Sequence, residues 1–297
     1  MWVKYKSYIL LHITIVVWGF TAIIGKELEP TIDSFSISWY RMLIALVALA
    51  FYIFIRKESF KIGRKAMLQT LGTGLIIAAH WVFFFESIHA SNVSVALACL
   101  STGALFTALL EPLFFRRRIV PYELVFGLMV VGGLYLIFEV ETRYVEGIIY
   151  ALLSAFLGAL FTVINGLLVK EHDSKAITMY EMLGGCLGIS IYLAFQAGFT
   201  SDMFNIGDFE MVLIVILGLI CTAVAFAVSV EVMKDLSPYT VSISVNMEPV
   251  YGIILALLFY NDSERMHGLF YVGVSMILLT LFANAYMKRR QNKKAIT

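Results

Sequence analysis

Long apolar segments recur ten times along the chain, each bounded by a short polar or charged loop. They fall at residues 8–25, 35–55, 66–86, 93–115, 122–138, 147–168, 177–196, 211–230, 239–260 and 268–287. Each is close to the roughly 20 residues that a helix needs to cross about 30 Å of hydrocarbon. Across all ten, the only formal charges are Arg41, Glu86, Glu111, Glu123, Glu181 and Glu248. The pattern predicts an all-α integral membrane protein with ten transmembrane helices. Ten-residue alternating strands are absent, which argues against a barrel.

Charge distribution sets the expected orientation. Counting Lys and Arg alternately on either side of the spans gives eighteen on one side and three (Lys26, Arg143, Arg265) on the other. The basic side is cytoplasmic by the positive-inside rule, so both termini are expected in the cytoplasm. The first apolar stretch follows Lys4 and Lys6 as in a signal peptide, but lacks a small-residue cleavage site, and reads as a retained first helix.

The chain divides into two comparable halves, expected at 1–143 and 144–297. Phe20-Thr21 and Gly25 fall on Phe161-Thr162 and Gly166, and Tyr40-Arg41-Met42 falls on Tyr180-Glu181-Met182. Identity further on is near chance. Topology makes the stronger case, because an odd number of spans per half inserts the second copy upside down. Arg116, Arg117 and Arg118 then align with Asp262, Ser263 and Glu264, one corner basic and cytoplasmic, the other acidic and external. Two inverted five-helix repeats with a site near the midplane are a common plan of secondary transporters.

Composition narrows the function classes. Of 297 residues, 60% are apolar and 14% charged, against about 25% charged in soluble domains. Cys99, Cys186 and Cys221 lie inside apolar spans without metal-ligand spacing and read as packing residues, so no metal is expected. No Gly-x-x-x-x-Gly-Lys-Ser/Thr or His-Glu-x-x-His motif occurs, which leaves no nucleotide, nucleic-acid or cofactor partner to expect.

Several motifs give the chain a family likeness. They are Trp18-Gly19, Trp39-Tyr40-Arg41, Asn92-Val93-Ser94-Val95-Ala96 and Asn246-Met247-Glu248-Pro249-Val250-Tyr251. With these the chain resembles the EamA family of the drug/metabolite transporter superfamily, ten-helix exporters built from two EamA repeats. Ser263-Glu264-Arg265 stands where that family has a Gly-Glu-Arg turn. The first-half equivalent, Arg116-Arg117-Arg118, departs from it. Thr102-Gly103 stands where the family has its fourth-span proline, with Pro112 nine residues later. The family usually has an Arg at the position of Arg41. The resemblance implies a secondary transporter that exports small metabolites such as amino acids from a bacterial inner membrane.

The polar residues inside the spans suggest where a substrate would sit. A carboxyl group at mid-membrane must face a cavity or a partner, or stay protonated. Glu248 precedes Pro249, whose ring frees a carbonyl and is expected to kink the ninth span, as Pro112 is expected to kink the fourth. Helical spacing groups Glu248 with Ser244 and Tyr251. At about 100° per residue Asn246 falls on another face and reads as packing. Trp18 shares a face with Thr14 and Thr21, and Asn165 shares one with Ser154, Gly158 and Phe161. His80 lies beside Trp81 and Phe84, and a histidine there either titrates or is a satisfied core residue. Trp18, His80, Trp81, Asn165, Glu248 and Tyr251 are therefore the expected substrate-binding set. Either Glu248 or His80 is a candidate carrier of a coupling proton.

For the other charges the structural reading is the stronger one. Arg41 and Glu181 are expected to snorkel from helix ends. Glu111 and Glu123 are expected as interfacial partners of the three arginines, and Glu86 as a rim residue. Gly184 and Gly188 read as a helix-packing pair. Aromatic faces with an acid also suit amphipathic cations or drugs, which remain the alternative substrates. A membrane-embedded enzyme is a weaker reading.

Overall fold

A computed structural model describes residues 2–116, 121–140, 142–260, 264 and 266–294. All secondary structure among them is helical. In chain order the helices are α1 (Trp2–Leu28), α2 (Ser34–Ile55), α3 (Arg64–His89), α4 (Val93–Leu100), α5 (Gly103–Phe115), α6 (Pro121–Val140) and α7 (Val145–Leu168). Then follow α8 (Ser174–Phe195), a single turn α9 (Ser201–Phe204), α10 (Asp208–Gly218), α11 (Ala225–Glu231), α12 (Pro238–Val245), α13 (Glu248–Tyr260) and α14 (Gly268–Lys294). Arg117, Arg118, Asp262, Ser263 and Arg265 lie outside the described residues, as does the side chain of Glu123.

Eight stretches are long and apolar enough to cross a membrane, and two shorter apolar helices, Val125–Ile137 and Gly268–Thr280, lie within α6 and α14. Large side chains such as Phe54, Leu113 and Phe195 remain exposed on the outside of the bundle, as a lipid-facing surface requires.

Local chemistry explains the element starts. Asp33 accepts from Phe35 N (3.0 Å) and Ser36 N (3.1 Å) to begin α2, and Asp173 accepts from Lys175 N (3.0 Å) to begin α8. The same cap thus opens the second helix of each half, supplying donors that a helix start otherwise leaves unpaired. Close packing uses small residues. A Cβ at Gly74 would collide with the Glu181 carbonyl, and one at Gly184 with the Leu71 carbonyl, so α3 and α8 touch backbone to backbone. Gly188 rests on Leu75, completing the expected glycine seam.

Three spans are interrupted, and one of the breaks falls where a proline placed it. The fourth span breaks between α4 and α5 at Ser101-Thr102, whose hydroxyls donate back to Ala98 O (2.5 Å) and Cys99 O (2.8 Å). Pro112, the expected kink, sits inside α5 without ending it. The ninth span breaks at Asn246-Met247, and Pro249 occupies the first turn of α13, where its missing N–H costs nothing. Between α10 and α11 a π-helical segment, Leu219–Val224, widens the eighth span. The two broken spans pair half by half, α4 on α13 and α5 on α12, so they run antiparallel. Thr107 Oγ1 donates to Ser242 Oγ (3.0 Å) across that contact.

Candidate functional site: a central cavity

Where the three interrupted spans meet α1, α2, α3 and α7, the bundle leaves a cavity of about 880 Å³, part of it open to the surroundings. Trp18, His80, Trp81, Asn165 and Glu248 all line it. Tyr251 does not. Its hydroxyl pairs with His12 Nε2 (3.2 Å) and its Cβ lies near Gly19, away from the cavity. The break at Asn246-Met247 is the reason, because the single helical register that joined Ser244, Glu248 and Tyr251 does not run through it. For the same reason Asn246, expected on a packing face, lines the cavity with Glu248.

Arg41 is the largest departure from the sequence reading. Instead of snorkelling it is 2% exposed and lines the cavity. Its guanidinium carbon lies 3.8 Å from the centroid of Trp81, and its Nε donates to Thr222 Oγ1 (2.6 Å). Thr222 belongs to the π-helical segment and donates its own hydrogen to Leu217 O (2.8 Å). The neighbouring Cys221 O accepts from Trp18 Nε1 (3.0 Å). One irregular turn therefore fixes both Trp18 and Arg41, in keeping with the habit of π-bulges to sit at functional sites.

Stacked and tethered, the guanidinium has its orientation set, yet its Nη1 has no hydrogen-bond partner among the described residues. Glu248 is 6% exposed and acts electrostatically on Arg41, but the two do not form a direct ion pair. The cavity thus holds one guanidinium and one carboxyl group at separate points. Asn246 Nδ2 is a further buried donor without a partner among the described residues.

His80 is held by α7. Its Nδ1 lies 2.8 Å from Ser154 O, and a carbonyl can only accept, so Nδ1 carries the hydrogen. Ser154 Oγ donates in turn to His80 O (2.9 Å). Gly158 leaves the space that the imidazole fills, and Phe161 meets the ring edge-on at 5.2 Å between centroids. Phe226 closes the aromatic wall, 5.7 Å from Phe161 and 6.0 Å from Trp81.

Two other buried carboxylates are helix caps. Glu264 is fully buried, receives Lys26 Nζ (2.6 Å), and accepts from Val93 N (3.2 Å), Ser94 N (2.9 Å) and Ser94 Oγ (2.8 Å) at the start of α4. Glu111 accepts from Tyr239 N (2.7 Å) at the start of α12. Glu111 was expected at an interface; it is instead 6% exposed and caps a helix of the other half.

A cavity of this kind, walled by membrane-length helices, belongs to a transporter. The profile of the EamA-like transporter family matches residues 5–139 and 145–286, and the chain belongs to that family. It is similar to uncharacterized transporter YxxF of Bacillus subtilis, 23% identical over 99% of this chain and 93% of that one. An uncharacterized transporter of Archaeoglobus fulgidus is 22% identical over 88% of this chain and 90% of its own. A solved crystal structure with 15% identity superposes over 97% of this chain and 99% of its own with a TM-score of 0.72, a likeness of fold.

Proposed function

We propose that this membrane transporter is a secondary exporter of small zwitterionic metabolites, amino acids in the first place, working by alternating access. The observation that carries the reading is Arg41 Nη1, buried and without a hydrogen-bond partner among the described residues, on a fixed guanidinium that lines a cavity with Glu248. A substrate carboxylate would pair with Arg41, and an ammonium with Glu248. The aromatic wall of Trp18, Trp81, Phe161 and Phe226 would take an apolar side chain. A lone amphipathic cation fits less well, because Arg41 repels it. A phosphorylated substrate would need more cations than Arg41 supplies.

The architecture in this reading is ten spans in two inverted repeats, 1–143 and 144–297, with both termini cytoplasmic in a bacterial inner membrane. Supporting it are the eighteen-to-three division of Lys and Arg, the paired breaks in the fourth and ninth spans, and the matching caps Asp33 and Asp173. The chemistry required is displacement of water by substrate and a change of access, with no bond made or broken.

Proteoliposomes loaded with labelled amino acids, one species at a time, provide the test. Efflux of at least one species is expected, with Arg41→Lys lowering it tenfold or more, because Lys lacks the planar, stacked donor fork. Efflux of amines alone, unaffected by Arg41→Lys, would overturn the zwitterion reading.

A further inference from the structure

Among the described residues, Glu181 is a fully buried carboxyl group with both oxygens unpaired. It lies in α8, 0% exposed, and neither Oε1 nor Oε2 has a hydrogen-bond partner among the described residues. Thr178 Oγ1, one turn earlier on the same helix, is also unpartnered. The polar side chain that acts on Glu181 is Asn165 of α7, whose own Oδ1 and Nδ2 are both unpartnered. Asn165 lines the cavity. An unsatisfied acid thus stands directly behind the cavity wall, with one amide between it and the substrate space.

The elements packed around Glu181 bring it no charge. On α2, Arg41 is committed to Thr222 and Trp81; on α3, His80 is committed to Ser154. On α11, Glu231 is engaged with Ser174 and Lys234. From α3 the group directly opposite is Gly74, at the Glu181 carbonyl. A carboxylate here would have no counter-charge and only the Asn165 amide as a donor, which is far costlier than a neutral acid. Glu248 differs in having Arg41 in its field.

We propose that Glu181 is the coupling site of this transporter, holding a proton that it exchanges with water in the cavity through Asn165. The sequence pointed to Glu248 or His80 for this role; the geometry points to the acid behind the wall. When the O–H bond of Glu181 breaks, the proton leaves to cavity water and a carboxylate remains. Asn165 Nδ2–H then donates to that carboxylate, which withdraws the amide from the cavity. Return of the proton frees Asn165 for substrate. Proton and substrate occupancy are thereby linked through a single side chain. The idea rests on the transport reading, but its first test needs no substrate.

That test is an infrared pH titration of the full chain reconstituted in phosphatidylcholine vesicles, following the C=O band of protonated carboxyl groups. At neutral pH the wild-type band should have a component that Glu181→Gln lacks and Glu248→Gln retains. A band unchanged in Glu181→Gln, or a component lost only in Glu248→Gln, overturns the proposal. Should Glu181→Gln fail to fold, Asn165→Ala keeps Glu181 in place and should move the titration midpoint by at least one pH unit. An unmoved midpoint again overturns it. For an amino acid that passes the efflux assay, Glu181→Gln should still exchange it but lose acceleration by an imposed pH gradient. Retained acceleration, or a response to a sodium gradient alone, contradicts the assignment while leaving the exporter reading intact.

Discussion

Among the described residues four glutamates are buried in the membrane bundle or at its ends, and they fall into two pairs. Glu264 and Glu111 close helix starts: each accepts backbone N–H groups of a helix in the other half of the chain, and Glu264 also holds Lys26. Glu248 and Glu181 receive no such donors. One faces a cation across a cavity and the other faces an amide with no partner of its own. Local caps complete the first pair, with Asn92 accepting from Val95 N (2.9 Å) and Ser237 from Thr240 N (3.3 Å). Each start therefore has one near and one distant acceptor, and favourable interaction with the helix dipole is added to both. The contrast teaches that burial alone does not mark a working acid. Stability uses the carboxylates whose lone pairs are filled, and transport is left with those whose lone pairs are not.

The largest effect should come from breaking the fuller cap. Glu264→Ala would strand Lys26 and two backbone donors at the start of α4, a loss of about 3–5 kcal/mol by the usual cost of splitting a buried pair. Thermal unfolding in detergent reads it directly, and a melting point near wild type would show that water replaces the cap. A smaller loss is expected for Glu111→Ala, about 1–3 kcal/mol, since the Tyr239 N–H loses its carboxylate acceptor. A loss as large as that of Glu264→Ala would blur the comparison between the two caps.

The helical bundle was legible because its signal is the coarse one, runs of apolar residues of membrane length between charged loops. The caps of α2 and α8 could also have been read from Asp33-Ser34 and Asp173-Ser174. The breaks were legible only in part. Pro249 marked the ninth, where α12 ends at the Val245 carbonyl that the proline frees, whereas Pro112 drew attention away from Ser101-Thr102, where hydroxyls compete for backbone carbonyls. A straight-helix register then misplaced Asn246 and Tyr251 together. Arg41 was misread for another reason: its partners, Trp81 and Thr222, are 40 and 181 positions away in the chain. Spacing within one helix cannot show them. The pairing of Glu264 with the start of α4 is equally remote, although Ser263-Glu264-Arg265 flagged the residue itself.

The central claim, that unfilled buried carboxylates serve transport rather than stability, is tested most directly by Glu248→Gln, measured for unfolding and for efflux on the same preparation. The substitution keeps the shape and removes the titratable group that acts on Arg41. Its stability should stay within about 1 kcal/mol of wild type, because no hydrogen bond to a described residue is lost. Efflux of the amino acid that the wild type carries should fall at least tenfold. A protein that melts as early as Glu264→Ala, while its folded fraction transports at the wild-type rate, would contradict the account.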